Sequence, residues 1–171
     1  MSNDELTTAG PWLQKAEEMA QRATCTRAHC GAVIVADNTI IGTGYNSPPG
    51  ECEAERRCSN DKTLYDRKVT DKTCCIHAEQ RAVMDALRTH PDKLAGATLY
   101  YVGLLPDGAL RCGDDDPRLY CTLCAKMMHE VGIATFVLKT KEGAVSVRQD
   151  EYVGSSYEYH PHKHGEISGV A

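Results

Sequence analysis

Two short stretches of this sequence carry side chains that bind metals and move protons. His77 and Glu79 stand two positions apart, and Cys121 and Cys124 stand three positions apart. Imidazole and thiolate ligands match the borderline softness of zinc, and three such ligands leave a fourth position for water. A carboxylate beside that water can take its proton and pass it to a leaving nitrogen. The spacing therefore predicts a catalytic zinc held by His77, Cys121 and Cys124, with Glu79 as the general acid–base.

Both stretches lie at predicted helix starts. Residues 77–89 and 121–131 show apolar side chains at helical spacing, and Gly132 is placed to cap the second helix. Two helix N-termini that face one point would gather the three ligands, and the helix dipole favours the thiolate of Cys121. Taken singly, these residues are better explained as a capping histidine, an exposed glutamate and two core cysteines. The combination is what predicts a metal site.

The elements that position these residues predict an α/β fold. The pattern gives a helix at 11–23, a hairpin of strands 32–36 and 40–44, strands at 97–102 and 133–138, and an edge strand at 144–147. Irregular segments are expected at 47–73 and 104–119, and a tail from about residue 150. We expect the 171 residues to form a single domain.

Composition restricts the function classes. The net charge of −5 supplies no basic surface for a polynucleotide, whereas the phosphate of a mononucleotide needs one or two local donors. The sequence shows no apolar run of membrane-spanning length and no secretory signal, so a cytoplasmic protein without a membrane partner is expected. In that reducing compartment, nine cysteines are metal ligands or small hydrophobes rather than a disulfide framework.

The chain resembles the zinc-dependent cytidine/deoxycytidylate deaminase superfamily, and is most similar to its deoxycytidylate (dCMP) deaminase branch. The resemblance spans about residues 12–139. It rests on four blocks in the family's order: Thr24-Cys25-Thr26-Arg27 leading into residues 31–35, residues 44–49, His77-Ala78-Glu79-Gln80, and residues 121–132.

This resemblance implies a three-layer α/β/α sandwich with a mixed five-stranded sheet, and a homo-oligomer. It implies hydrolytic deamination of a free cytosine nucleotide, dCMP to dUMP and ammonia, with the backbone N–H of Ala78 holding the base edge. One alternative is the same chemistry on dCTP, a modified cytosine nucleotide, a nucleoside or a purine base. A polynucleotide substrate is disfavoured by the acidic charge. A non-catalytic zinc-stabilised binding module is the other alternative, and Glu79 argues against it because a structural zinc does not need that carboxylate.

The resemblance also suggests substrate-binding residues. Asn46 is either a turn residue or a nucleoside contact, and Thr24 and Arg27 are candidates for the 5′-phosphate. Tyr120 stands where the superfamily usually has proline, and is expected either to alter which base fits the pocket or to stack on the base. The segment 104–119 is longer than the corresponding family loop, so we expect it to reshape the pocket mouth.

A second, structural zinc is a further expectation. Cys25 and Cys52 stand where several similar chains place ligands of such a zinc, and Cys58 with Cys74 or Cys75 would complete four thiolates. The alternative is that these cysteines are buried hydrophobes.

Overall fold

A mixed five-stranded sheet runs through the computed structural model, which describes residues 3–69, 71–111 and 121–158, with backbone alone for residues 3–8. Its strands lie in the order β2-β1-β3-β4-β5. β3 and β4 are parallel, and every other neighbouring pair is antiparallel. The strands are β1 (His29–Ala36), β2 (Thr39–Tyr45), β3 (Thr98–Leu104), β4 (Thr135–Thr140) and β5 (Gly143–Arg148).

Helices cover both faces of the sheet. They are α1 (Asn3–Gln21), α2 (Ala78–Thr89), α3 (Thr122–Glu130) and α4 (Gln149–Tyr157). Val33 and Val35 pack with α1, whereas Ala32 and Ile34 pack in the cluster that holds α2, α3 and α4. Side chains alternate between the faces of a strand, so β1 serves both cores. The expected three-layer sandwich with a mixed sheet is confirmed.

Glycine at position 44 lets α2 rest directly on the backbone of β2. A Cβ at Gly44 would lie 2.1 Å from the carbonyl oxygen of Ala78 and 2.5 Å from the amide nitrogen of Ala82. Atoms cannot approach so closely, so any larger residue would push α2 off the sheet. Because His77 and Glu79 flank Ala78, this contact also sets their position.

We expect Gly44→Ala to destabilise the protein by about 1–3 kcal/mol or more, because it overpacks this contact. The control is Gly154→Ala in α4, where a Cβ would meet nothing within 4 Å. An alanine at that helical position is neutral or stabilises by up to about 1 kcal/mol. Urea unfolding of both variants checks the prediction, and equal stabilities would contradict it.

Most predicted elements are confirmed with shifted ends. Helix α1 begins at Asn3 rather than residue 11, and Pro11 lies inside it. The sequence pattern placed the start too late because proline favours a first turn. The hairpin turn has positive φ at Asp37 and Asn38 (49° and 56°), and Gly132 has φ 82° as a left-handed residue after α3.

The C-terminal prediction was wrong over residues 149–157. A tail was expected from about residue 150, but α4 occupies this segment and buries Gln149, Tyr152 and Ser156. The Gln149 side chain donates to the Ala125 carbonyl of α3 at 2.7 Å. Packing against α3 therefore stabilises a sequence whose helical pattern is weak. The remainder of the predicted tail, residues 159–171, lies outside the described residues.

The predicted irregular segment 47–73 contains three single-turn helices: Pro49–Glu51, Glu53–Glu55 and Lys62–Leu64. Ser47 pairs with Ile76 just before α2, and Arg81 donates to the hydroxyl of Ser47 at 2.7 Å. Both ends of the segment are thus held near the start of α2. Within the described part of the chain, no helix has the length and apolar character needed to cross a membrane.

Candidate active site

A cavity of about 290 Å³ lies at one end of the sheet's strands. The start of β1 pairs with the ends of β2 and β3, because both pairings are antiparallel. Cys30, Asn46 and Gly103 from these three strand ends line the cavity, together with residues at the starts of α2 and α3. The volume is near the lower end of the range for small-molecule sites.

Three metal-binding side chains meet beside this cavity: His77 and Cys121 line it, and Cys124 is fully buried next to them. His77 precedes α2, and its Nδ1 lies 3.3 Å from both Cys121 Sγ and Cys124 Sγ. These ligand atoms all lie within 4.8 Å of one another. Tetrahedral zinc with ordinary Zn–N and Zn–S bonds would place nitrogen and sulfur about 3.5 Å apart. The donor set therefore fits zinc, and the structure brings together the three residues predicted from sequence.

The local electrostatics suit metal binding. The hydrogen bond from Cys124, together with that from His77, lowers the pKa of Cys121 to about 4. The same Cys121 hydrogen bond raises the pKa of His77 to about 9, although burial opposes it. The hydrogen bond between Cys124 and Cys121 raises the pKa of Cys124, and burial raises it further. Without metal, the group thus holds a thiolate and an imidazolium at neutral pH.

Glu79 lies in the same cavity and is 6% exposed. Burial raises the pKa of its carboxyl, and the nearby charge of His77 partly offsets that effect. The carboxyl also shares a hydrogen bond with Cys124. A raised pKa brings a carboxyl closer to neutral pH, where it can both accept and return a proton.

An aromatic wall lies beside the metal-binding group. Phe136 stands between Tyr101 and Tyr152, with ring centroids 5.8 Å and 4.8 Å away. Tyr152 is 2% exposed, lines the cavity, and has a hydrogen bond with the Cys121 backbone. Sequence analysis missed Tyr152 because it lies in the predicted tail. The spacing of residues 149, 152, 153 and 156 was the available helical signal.

The predicted substrate-binding residues lie in different environments. Asn46 lines the cavity and is buried; its Oδ1 accepts from the Cys30 amide at 2.8 Å, and its Nδ2 donates to the Ala28 carbonyl at 2.9 Å. Ala78 and Arg27 also line the cavity. Thr24 is exposed and is not part of the cavity lining. Tyr120 and residues 112–119 of the predicted insert lie outside the described residues.

A second group of cysteines borders the cavity. The sulfur atoms of Cys25, Cys58 and Cys75 lie within 4.8 Å of one another. Cys74 Sγ lies 2.9 Å from Cys58 Sγ and 3.7 Å from Cys75 Sγ. Burial alone would raise the pKa of Cys58, but hydrogen bonds from Cys74, Thr26 and Arg56 lower it to about 6. Four of the five predicted cysteines are therefore neighbours.

The structure does not bring Cys52 into this group. Its side chain is exposed, and it connects the turn Pro49–Glu51 to the turn Glu53–Glu55. Cys74 and Cys75, in contrast, adjoin the pairing of Ile76 with Ser47, which holds them beside Cys25 and Cys58. The prediction that Cys52 belongs to the ligand set is therefore wrong. Cys74 and Cys75 both lie beside Cys25 and Cys58, although only one of the two was expected there.

Comparison with known proteins agrees with this geometry. A family model described as the cytidine and deoxycytidylate deaminase zinc-binding region matches residues 7–140. The chain belongs to this family. Family membership identifies a zinc-binding deaminase fold, and the chain supplies two groups of cysteine and histidine side chains with metal-ligand spacing.

Individual family members are similar over parts of their length. The chain is 37% identical over 95 residues to a deoxycytidylate deaminase of Mycobacterium phage D29, covering 52% of this chain and 72% of that protein. It is 26% identical over 137 residues to the deoxycytidylate deaminase of Schizosaccharomyces pombe, covering 75% of this chain and 36% of that protein. The chain thus spans little more than a third of the fission yeast protein's length.

Solved structures share the fold. The dCMP deaminase of cyanophage S-TIM5 aligns with a TM-score of 0.55 at 19% identity, covering 82% of this chain and 86% of that one. The same enzyme has been solved in complex with dCMP and dUMP, where the TM-score is 0.55 at 18% identity over 82% of this chain and 84% of that one.

Proposed function

We propose that this protein is a zinc-dependent hydrolase that deaminates a free cytosine nucleotide, converting dCMP to dUMP and ammonia. The observation that carries the proposal is the buried Glu79 carboxyl, which lines the same cavity as His77 and Cys121 and shares a hydrogen bond with the buried Cys124. A purely structural zinc would not need a protonatable carboxyl beside its ligands. The names of the phage and yeast relatives support dCMP as the substrate.

Each step of the reaction assigns a task to a residue of this chain. Zinc, when bound by His77, Cys121 and Cys124, supplies Lewis-acid activation of a water molecule. Glu79 accepts a proton from the attacking water while C4 of cytosine is attacked. Glu79 gives that proton to N3, then takes the proton of the new C4 hydroxyl and passes it to the amino nitrogen. The C4–N bond breaks, the C4 carbonyl forms, and the amino group leaves as ammonia. The low exposure of Glu79 keeps bulk water from competing for that proton.

Residues around the cavity are proposed to hold the nucleotide. The Ala78 N–H belongs to the first turn of α2, where backbone donors lack a partner within the helix, and we propose that it binds the base edge. Asn46 can add one hydrogen bond at each end of its amide. Arg27 is proposed for the phosphate, with Thr24 and Tyr120 kept as predicted contributors.

A substrate panel tests the proposal. Ammonia release by the zinc-loaded protein is measured with dCMP, deoxycytidine, CMP, dCTP and a 5-substituted dCMP, with deoxyadenosine and guanine as purine controls. We expect dCMP to be preferred. If only another compound of the panel is deaminated, that compound replaces dCMP as the substrate and the proposed zinc-dependent deamination still holds. Absence of turnover across the panel would favour the non-catalytic binding module.

We further propose that Cys25, Cys58, Cys74 and Cys75 bind a second, structural zinc. Four thiolates close a structural zinc site, and this one would tie the irregular segment 47–73 to the start of α2. The lowered pKa of Cys58 supports the proposal, because a thiolate is the form that binds metal.

Zinc content tests this second site. Elemental analysis of protein purified without chelator is expected to give close to two zinc ions per chain, and close to one in Cys58→Ser. The matched control is Cys52→Ser, which should keep two because Cys52 is exposed and outside the group. One zinc in both the unmodified protein and Cys58→Ser would contradict the proposal.

A homo-oligomer and a cytoplasmic location are also proposed. Met84 and Leu87 on α2 are 45% and 46% exposed, and Leu123 on α3 is 45% exposed, which supports contact with another copy. None of the eight described cysteines is in a disulfide, as a reducing compartment allows. Light scattering in solution measures the oligomeric state, and a monomeric mass would contradict the first of these proposals.

A further inference from the structure

A lysine of the irregular segment 47–73 lies at the catalytic cavity. Lys62 begins the single-turn helix Lys62–Leu64, is half-buried, and lines the cavity together with Thr73 from the other arm of the segment. The Lys72 ammonium donates to the Lys62 carbonyl at 3.3 Å, which joins the two arms. The backbone of Lys62 is therefore held at the cavity before a ligand enters.

The Lys62 ammonium has no hydrogen-bond or ion-pair partner among the residues that the structure describes. The acidic side chains next to the two arms are engaged in turns instead. Asp61 accepts from the Thr63 amide at 2.9 Å and from its hydroxyl at 2.7 Å, and Asp71 accepts from the Thr73 amide at 2.9 Å. A half-buried cation gives up part of its hydration, so an anion that enters beside it is stabilised.

Three cations line this cavity, although the chain carries a net charge of −5. They are Arg27, Lys62 and Arg111. Arg27 Nη2 donates to the Cys58 carbonyl at 3.3 Å, and Arg111 Nη1 lies 4.0 Å from Cys30 Sγ. Both arginines thus have contacts within the protein, whereas the Lys62 charge is available to a ligand. Local cations in a cleft attract an anion that the overall field of an acidic protein would repel.

The residues that line the cavity differ in burial. Glu79, beside the metal-binding group, is 6% exposed, and the reacting C4 of the substrate must lie next to it. Lys62 is half-buried and belongs to the segment that carries Cys58, another lining residue. In a nucleotide the reacting edge of the base and the phosphate are at opposite ends. A base bound at Glu79 therefore leaves the phosphate on the more exposed side, where Lys62 lies.

We propose that Lys62 is a specificity-determining residue that binds the phosphate of the nucleotide substrate. This inference rests on the proposed function. Cytosine and deoxyribose are neutral, so the phosphate is the part of the substrate that an unpaired ammonium favours. Lysine binds phosphate as a point charge with three donors on a flexible stem. Its backbone is already held by the turn, which lowers the entropy lost on binding.

The test compares nucleotide with nucleoside in matched variants. Lys62→Ala is expected to lower kcat/KM for dCMP by about tenfold to more than a hundredfold, the usual range for losing a charge-assisted contact. The loss should lie mainly in KM, because the phosphate is bound alike before and during the reaction. The value for deoxycytidine should change by no more than about twofold, since the nucleoside lacks the phosphate.

Two further variants separate the charge of Lys62 from its structural context. Lys62→Arg keeps a positive charge at this position, so it should retain more activity on dCMP than Lys62→Ala. Lys68→Ala removes an exposed lysine of the same segment, outside the cavity lining, and should leave both values unchanged. The zinc content of Lys62→Ala should equal that of the unmodified protein, which separates a lost phosphate contact from a disturbed metal site.

Inorganic phosphate supplies a second readout. It should inhibit dCMP turnover by the unmodified protein competitively, and Lys62→Ala should raise its inhibition constant by about tenfold or more. An equal loss for dCMP and deoxycytidine, or no loss for dCMP, would overturn the inference. Either result, obtained while the unmodified protein deaminates dCMP, would leave the proposed function standing. Absence of dCMP turnover by the unmodified protein would instead overturn the proposed function, and with it the inference.

Discussion

Replacing Glu79 with glutamine is expected to lower kcat by at least about 10²- to 10⁴-fold, the usual contribution of general acid–base catalysis. The amide has nearly the same shape, so the fold and the metal group should persist. It cannot accept the proton of the attacking water or return one to the leaving nitrogen. Steady-state ammonia release with saturating dCMP measures the effect.

Two controls make this result specific. Zinc content and unfolding stability should match those of the unmodified protein, which separates lost chemistry from lost metal. Glu130→Gln, at an exposed glutamate in the last turn of α3, should retain full activity. Near-normal turnover by Glu79→Gln would show that another group moves the proton.

Zinc affinity at the catalytic site should rise about a hundredfold per pH unit between about pH 6 and about pH 8, because binding releases protons. The pKa of His77 is raised to about 9 by the Cys121 hydrogen bond, and that of Cys124 is also raised, so both carry a proton in this window. The pKa of Cys121 is lowered to about 4, so it is already a thiolate. Zinc therefore displaces about two protons, and lower pH weakens binding.

Competition with a chelator of known affinity, measured at several pH values, gives this slope. The Cys58→Ser background isolates the catalytic site from the proposed second zinc. A slope near zero would mean that all three ligands are already deprotonated, which would contradict the proton distribution described here.

The metal-binding group was predictable because its signal is local. His77 and Glu79 adjoin one helix start, and Cys121 and Cys124 adjoin another, so short-range spacing already places each pair on a helix end. The sheet order needed the resemblance to a family, because strand pairing is a long-range property. The edge strand was predicted at residues 144–147 from its apolar pattern, and the structure has it at Gly143–Arg148.

Three other features depended on tertiary packing. Tyr152 lies in the cavity because α4 packs on α3, whereas its own sequence gives a weak helical pattern. Arg111 lies there because a hairpin turns residues 105–111 back onto β3. Cys52 lies between two exposed turns, away from the cysteine group that includes Cys74. The spacing of cysteines along the chain does not reveal which of them joins the group.

The most direct test of the central claim is to incubate the zinc-loaded protein with dCMP in water labelled with heavy oxygen, and to identify the nucleotide product by mass spectrometry. The account predicts dUMP that carries one solvent oxygen on the pyrimidine ring, together with an equal amount of ammonia. Unchanged dCMP, or dUMP without the label, would contradict it.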